Sequence, residues 1–185
     1  MKAKKADVLV LSALDDVAWL LNLRGSDIQY NPCFFSYVAI TNTKVYFFVH
    51  EVQVSTAVRK HLQPQNNKME NMVEIKPYEC ITDFLSDSKN QTIWLSNHAS
   101  QALVSLASKN KILLECTPVT LAKCIKNKIE IEGFIKCHVR DAAALCCYFA
   151  WLEKEVPKGI TGCPILKCFF WDCFCSETVR YDDLK

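Results

Sequence analysis

The run Val8-Leu9-Val10-Leu11 limits the folds open to this chain more than any other stretch. Four consecutive aliphatic residues do not suit a half-solvated strand, whose side chains alternate between faces. The run reads instead as a strand covered on both faces, which requires layers above and below it. The following sequence supplies those layers. Ser12-Ala-Leu-Asp15 has the form of a capping box and predicts a helix through Asp16 to Leu21, closed by Arg24-Gly25. Phe35 to Ile40 and Lys44 to Val49 are rich in β-branched and aromatic residues, and Thr41-Asn42-Thr43 between them reads as a hairpin turn. Helices are expected at Val54 to Leu62, Glu79 to Leu85 and Ser100 to Ala107. Strands are expected at Val73 to Ile75, Thr92 to Ser96 and Ile112 to Glu115, with a loop at Gln63 to Lys68. This alternation predicts an α/β fold: a mixed sheet with helices on both faces.

From Thr120 the pattern changes. Thr117-Pro118 is a helix start signal, and Leu121 to Ile125 begins a short helix. A far longer one is predicted over Glu130 to Glu155. Ile131, Phe134, Ile135, His138, Ala142, Leu145, Phe149, Leu152 and Val156 recur at spacings of three and four, an apolar stripe on one face. Pro157 and Gly159 stop it. From Ile160 to Lys185 no period is sustained, and four cysteines, three phenylalanines and a tryptophan crowd together. This segment is expected to be an irregular tail.

A net charge of +2 is near neutral and advertises no strongly basic nucleic-acid face, and no apolar run approaches the ~18 residues that a membrane span needs. The short run at Val8 is also too small for a signal sequence. The eleven cysteines are therefore expected to be reduced in a cytoplasmic setting, and an odd count fits badly with a closed disulfide framework.

Few side chains carry obvious chemistry. Asp15 and Asp16 are adjacent on a helix and point ~100° apart, so the favoured reading is two carboxylates complementing a helix N-terminus. None of His50, His61, His98 and His138 sits in a metal-binding spacing. His98 follows a strand end within reach of a cleft, although a plain loop histidine is the favoured reading. His138 lies on the long helix's apolar stripe, as a core or interface histidine. Cys146 and Cys147 read as small packing residues. Cys163, Cys168, Cys173 and Cys175 lack the two close pairs that zinc prefers, so no metal site is expected in this chain. Arg24-Gly25-Ser26-Asp27 leaves two readings open: a functional loop, or helix termination by Gly25 followed by a turn at Asp27 toward Pro32.

Three stretches resemble the cytosolic Xaa-Pro aminopeptidases of the creatinase/prolidase metallopeptidase family. They are Ser12 to Tyr37, Trp94-Leu-Ser-Asn-His-Ala-Ser100, and Lys126-Asn-Lys-Ile-Glu-Ile-Glu-Gly133 running on through His138-Val-Arg-Asp-Ala-Ala-Ala-Leu145 to Trp151-Leu-Glu-Lys-Glu-Val-Pro-Lys-Gly159. The likeness covers roughly Ala6 to Gly159. It implies a creatinase N-terminal-like middle domain over residues 1–125, a linker and the first helix of an incomplete catalytic domain over 126–159, and a divergent tail over 160–185. It further implies a parent activity, metal-dependent removal of an N-terminal residue preceding proline from a peptide substrate, with two metal ions, usually manganese. Their five ligands would fall after Gly159, where this sequence leaves the family pattern. The resemblance also places Arg24 and Asp27 toward the substrate cleft.

The expectation is thus a truncated family member, inactive on its own, with no catalytic or metal residues and with Arg24, Asp27 and His98 as substrate-cleft candidates. The alternative is a non-catalytic interaction or regulatory module. It would form a homodimer, or pair with a full-length homologue, through Phe134, His138, Leu145, Phe149 and Leu152.

Overall fold

The computed structural model describes residues 1–63 and 73–159; the expected tail from Ile160 and most of the expected loop at Gln63 to Lys68 lie outside the described residues. The chain divides into two compact units, Met1–Ile125 and Lys126–Lys185.

The first unit is built on six strands: β1 (Val8–Leu11), β2 (Ser36–Thr41), β3 (Val45–Val49), β4 (Val73–Pro77), β5 (Thr92–Leu95) and β6 (Lys111–Leu114). They lie in the order β4-β3-β2-β1-β5-β6. β2 is antiparallel to both β1 and β3, while β3–β4, β1–β5 and β5–β6 are parallel pairs. Every strand but β2 therefore points the same way, and the loops after β1, β3 and β5 open on one edge of the sheet.

β1 is buried along its whole length, as its continuous apolar run requires. Its alternate residues serve two cores. Leu9 and Leu11 join Val17, Ala18 and Leu21 of α1 (Leu14–Leu21), Phe47, Trp94 and Val119 of α5 (Pro118–Cys124) on one face. Val8 and Val10 join Phe48, Ile93, Leu85 of α3 (Ile81–Asp87) and Leu103 of α4 (Gln101–Leu106) on the other. The mixed sheet with helices on both faces is the expected architecture. A further helix, α2 (Thr56–His61), starts at Ser55, whose hydroxyl accepts a hydrogen bond from the Val58 amide.

Two local expectations are corrected. Ser12 does not cap α1: the N-cap is Ala13, without a side-chain hydrogen bond. Nor does Gly25 close the helix. Asn22 does so, at φ 51 in the left-handed region that Asn tolerates, and its amide bonds back to the Ala18 and Trp19 carbonyls. Gly25 is needed for another reason. A Cβ there would lie 2.6 Å from Phe34 Cβ, so the loop passes too close to that ring for any side chain.

The second unit contains α6 (Lys128–Glu155), 28 residues long. Asn127 and Glu130 form a reciprocal capping box, with the Glu130 amide donating to Asn127 Oδ1 at 2.9 Å and the Asn127 amide to Glu130 Oε2 at 2.8 Å. A 3-10 turn over Val156–Lys158 and Gly159 at φ 80 end it. None of its residues is buried. Phe134 and Phe149 are 50% and 59% exposed, and Leu145 and His138 are also exposed, while Leu152 is half-buried. Phe134 and His138 stack on each other, ring centroids 6.2 Å apart.

Candidate functional site

After Asn22 turns the chain out of α1, residues 23–35 make a tight excursion before entering β2. The Gly25 amide donates to Pro32 O at 3.1 Å, and the Asp27 amide to Cys33 O at 3.3 Å. The tip closes with Asn31 N donating to Ile28 O at 3.1 Å. Arg24 and Asp27 stand on the near side of this loop and border an open pocket of about 290 Å³. Its walls include Phe34, Phe47 and Val49 from the core, and Gln53, Val54 and Val58 from the segment after β3.

The two ionic side chains of the pocket do different work. Asp27 Oδ2 accepts from the Phe35 amide at 2.8 Å, and Oδ1 accepts from Gln53 Nε2 at 2.7 Å. The carboxylate thus ties the excursion to the segment after β3. Arg24 Nη1 donates to the carbonyls of Ala18 at 3.1 Å and Leu23 at 2.8 Å, so the guanidinium is pinned against the end of α1, where Ala18 O also accepts from the Leu23 amide. The two charges share a pocket without forming an ion pair with each other.

His98 is not brought to this place. It stands in the exposed turn after β5, its amide donating to Ser96 Oγ at 3.2 Å. β5 is three strand positions from β3, roughly 14 Å at ~4.8 Å per step. His61 instead supports the fold, with Nε2 donating to Leu21 O at 2.9 Å. His50 stacks on Tyr78 at 4.8 Å and faces Glu79 at 3.8 Å. Tyr78 in turn donates to the Tyr37 hydroxyl at 3.3 Å. Burial, with that hydrogen bond second, pushes the Tyr78 phenol up to about 12.

A second polar cluster escaped the sequence reading. Asp15 and Asp16 do lie in the first turn of α1, and in addition both reach Lys123 of α5, Asp16 Oδ1 at 2.7 Å. Asp16 is only 4% exposed, and its Oδ2 also accepts from Thr120 Oγ1 at 2.9 Å and Thr117 Oγ1 at 3.4 Å. The cluster clamps α1 to α5. The hydrogen bond from Lys123 holds the Asp15 carboxyl below the usual carboxylate range. Burial works against the Lys123 charge, but the two aspartates outweigh it and raise its pKa. The only hint in the sequence was an acidic pair at a helix start with Thr-Pro and Lys more than a hundred residues on. Among the described residues, no three His, Cys, Asp or Glu side chains are grouped so as to hold a metal ion.

The mixed sheet, its two helical layers and this loop pocket make up a layered α/β domain. The Creatinase/Prolidase N-terminal domain profile matches residues 1–130, and the chain belongs to that family. The Xaa-Pro aminopeptidase ApepP of Drosophila melanogaster is 44% identical over 162 residues, covering 86% of this chain and 26% of that protein. Xaa-Pro aminopeptidase 1 of Dictyostelium discoideum is 40% identical over 158 residues, with 84% and 24% covered. The crystal structure of X-prolyl aminopeptidase from Caenorhabditis elegans, described as a cytosolic enzyme with a di-nuclear active site, superimposes with a TM-score of 0.70 at 32% identity, over 85% of this chain and 26% of that one. Prolidase from Pyrococcus furiosus shares the fold at a TM-score of 0.57 and 15% identity, over 81% and 41%. The chain spans about a quarter of the length of the curated relatives it matches. No helix of the described residues is long and apolar enough to cross a membrane.

Proposed function

We propose that this chain is the creatinase N-terminal-like portion of an Xaa-Pro aminopeptidase-type metallopeptidase. In this reading it supplies one wall of a peptide-substrate cleft and has no hydrolytic activity alone. The observation that supports this best is the pairing of a pocket-forming loop, Arg24 to Asp27, with a match that spans about a quarter of the aminopeptidase relatives. The chemistry of the parent family is removal of an N-terminal residue preceding proline, for which two bound metal ions, usually manganese, activate the attacking water. The described residues do not fit such a centre, since two-metal sites need several convergent oxygen and nitrogen ligands. What they offer is positioning: Arg24 as a cationic group beside an apolar wall, Asp27 as the clamp that sets the loop. His98 has a place in this reading only at the far end of the same sheet edge. α6 is then the first helix of the following domain, and the setting is cytosolic like that of the nematode enzyme.

The test is direct. The purified chain, incubated with an Xaa-Pro-Pro peptide and manganese, should release no N-terminal residue. Manganese-dependent release abolished by Arg24→Ala would overturn the reading.

A second reading rests on α6. Ile131, Phe134, Ile135, Leu145 and Phe149 are all exposed on it. A face of this kind supports pairing with a second copy or a full-length homologue, and a non-catalytic regulatory role. Sedimentation of the chain against its Phe134→Asp, Phe149→Asp variant tests it. A monomer in both cases, at every concentration, would count against pairing.

A further inference from the structure

We infer that the pocket beside Arg24 is a subsite for a carboxylate carried on an aliphatic residue, such as the C-terminal residue of a short peptide. The inference deepens the substrate-cleft reading and rests on it.

Arg24 is anchored in a way that leaves one edge of its guanidinium available. Its Nη1 donates to two main-chain carbonyls, those of Ala18 and Leu23. A guanidinium has five N–H donors, and these two bonds match the two hydrogens of Nη1. Nε–H and the two hydrogens of Nη2 remain, and together Nε and Nη2 make the side-on fork that a carboxylate accepts with both oxygens. Among the described residues no carboxylate lies within ion-pair distance of Arg24. Asp27 borders the same pocket, where its two oxygens accept from Phe35 and Gln53, and it forms no ion pair with Arg24. The pocket therefore combines a pinned cation, without an ion-pair partner among the described residues, with walls from Phe34, Phe47, Val49 and Val54.

The size agrees with the chemistry. About 290 Å³ lies just under the ~300–1,000 Å³ usual for ligand pockets, enough for one residue rather than an extended chain. An apolar wall facing a cation favours a ligand that carries a negative charge and an aliphatic stem together. The Arg24 anchor also lowers the ordering cost of binding, since the side chain is already held in place.

The experiment titrates the isotope-labelled 185-residue chain with N-acetyl-L-leucine and, separately, with N-acetyl-L-leucinamide at matched ionic strength. It follows the Arg24 Nε–H resonance and the Gly25 and Ser26 amides. The acid should shift all three and bind roughly tenfold or more tightly than the amide, the scale expected of paired charge-assisted hydrogen bonds. Arg24→Lys keeps the charge but not the fork, and should lose most of that preference. Arg24→Gln should bring acid and amide to equal affinity. The acid-to-amide ratio within each variant is insensitive to a general loss of stability, and Arg24→Lys covers the case in which Arg24→Gln folds poorly. Equal binding of acid and amide to the unaltered chain would overturn the subsite, as would no shift at all or an acid preference that survives Arg24→Gln. None of these outcomes touches the cleavage test above. Conversely, peptide cleavage by the chain would sink the functional reading and leave this ratio as it stands.

Discussion

β1, apolar throughout, and α6, apolar along one stripe, are both marked plainly by the sequence, yet all four residues of β1 are buried and none of the 28 in α6 is. The contrast separates two ways of specifying an element. β1 is fixed by what covers it, since Leu9 and Leu11 serve one core and Val8 and Val10 the other. α6 is fixed locally, by the Asn127–Glu130 capping box, a 3.6-residue pattern and the stop after Glu155. Local terms of this kind are worth about 1 kcal/mol each, against ~1.5–3 kcal/mol for each large side chain fully removed from water. The α/β body thus carries the stability of the described chain, and α6 leaves its apolar stripe exposed.

The sharpest way to break that comparison is to make matched truncations in each region. Phe47→Ala, at a side chain 1% exposed, should cost about 3–5 kcal/mol in urea unfolding. Phe149→Ala on α6 should stay within about 0.5 kcal/mol. Similar costs at the two sites would erase the distinction. Next in size is the clamp between α1 and α5. Asp16→Ala leaves Lys123 beside a cavity and two threonine hydroxyls without their acceptor, and should cost about 3 kcal/mol. Gly25→Ala, which drives a methyl into Phe34, should cost about 1–3 kcal/mol. Asn127→Ala should be smallest, about 1 kcal/mol, read as fraying of α6 in amide exchange with the midpoint of the body unchanged.

Tyr78 and Asp15 give the body a pH dependence of its own. Tyr78 ionises at about 12 in the folded chain against 10.0 ordinarily. A raised pKa gives stability that is complete below the ordinary value and is lost as pH climbs toward the folded one. Stability should therefore fall between about pH 10 and pH 12. Tyr78→Phe should flatten that decline, and an unchanged slope would show the phenol is not its source. Asp15 behaves oppositely. Its lowered pKa gives stability that is present above the usual carboxylate range and is lost as pH falls through the folded value. Lys123→Met should remove that acid limb.

The sequence shows an element wherever its cause is local. The two-sided burial of β1 follows from four adjacent aliphatics, the β2–β3 hairpin from Thr41-Asn42-Thr43, and α5 from Thr117-Pro118, where Thr117 does cap the helix. It fails where the cause is distant. Ser12 had the form of a cap, but α1 begins without one. Gly25 looked like a helix stop, and its true constraint is Phe34, nine residues on and folded back against it. At the candidate site the loop Arg24 to Asp27 was visible. The division of labour within it was not, because the partners of Asp27 are Phe35 and Gln53, eight and 26 positions away. Asp16 was least legible of all, its partners lying 101 to 107 positions along the chain.

Native-state amide exchange at low protein concentration tests the central contrast most directly, since it reads both regions in one sample. Amides of β1 and β3 should exchange only through global unfolding, with protection matching the denaturant-derived stability. Those in the middle of α6 should exchange through local opening, with protection lower by orders of magnitude. Protection in α6 equal to that in β1, under conditions where the chain sediments as a monomer, would contradict it.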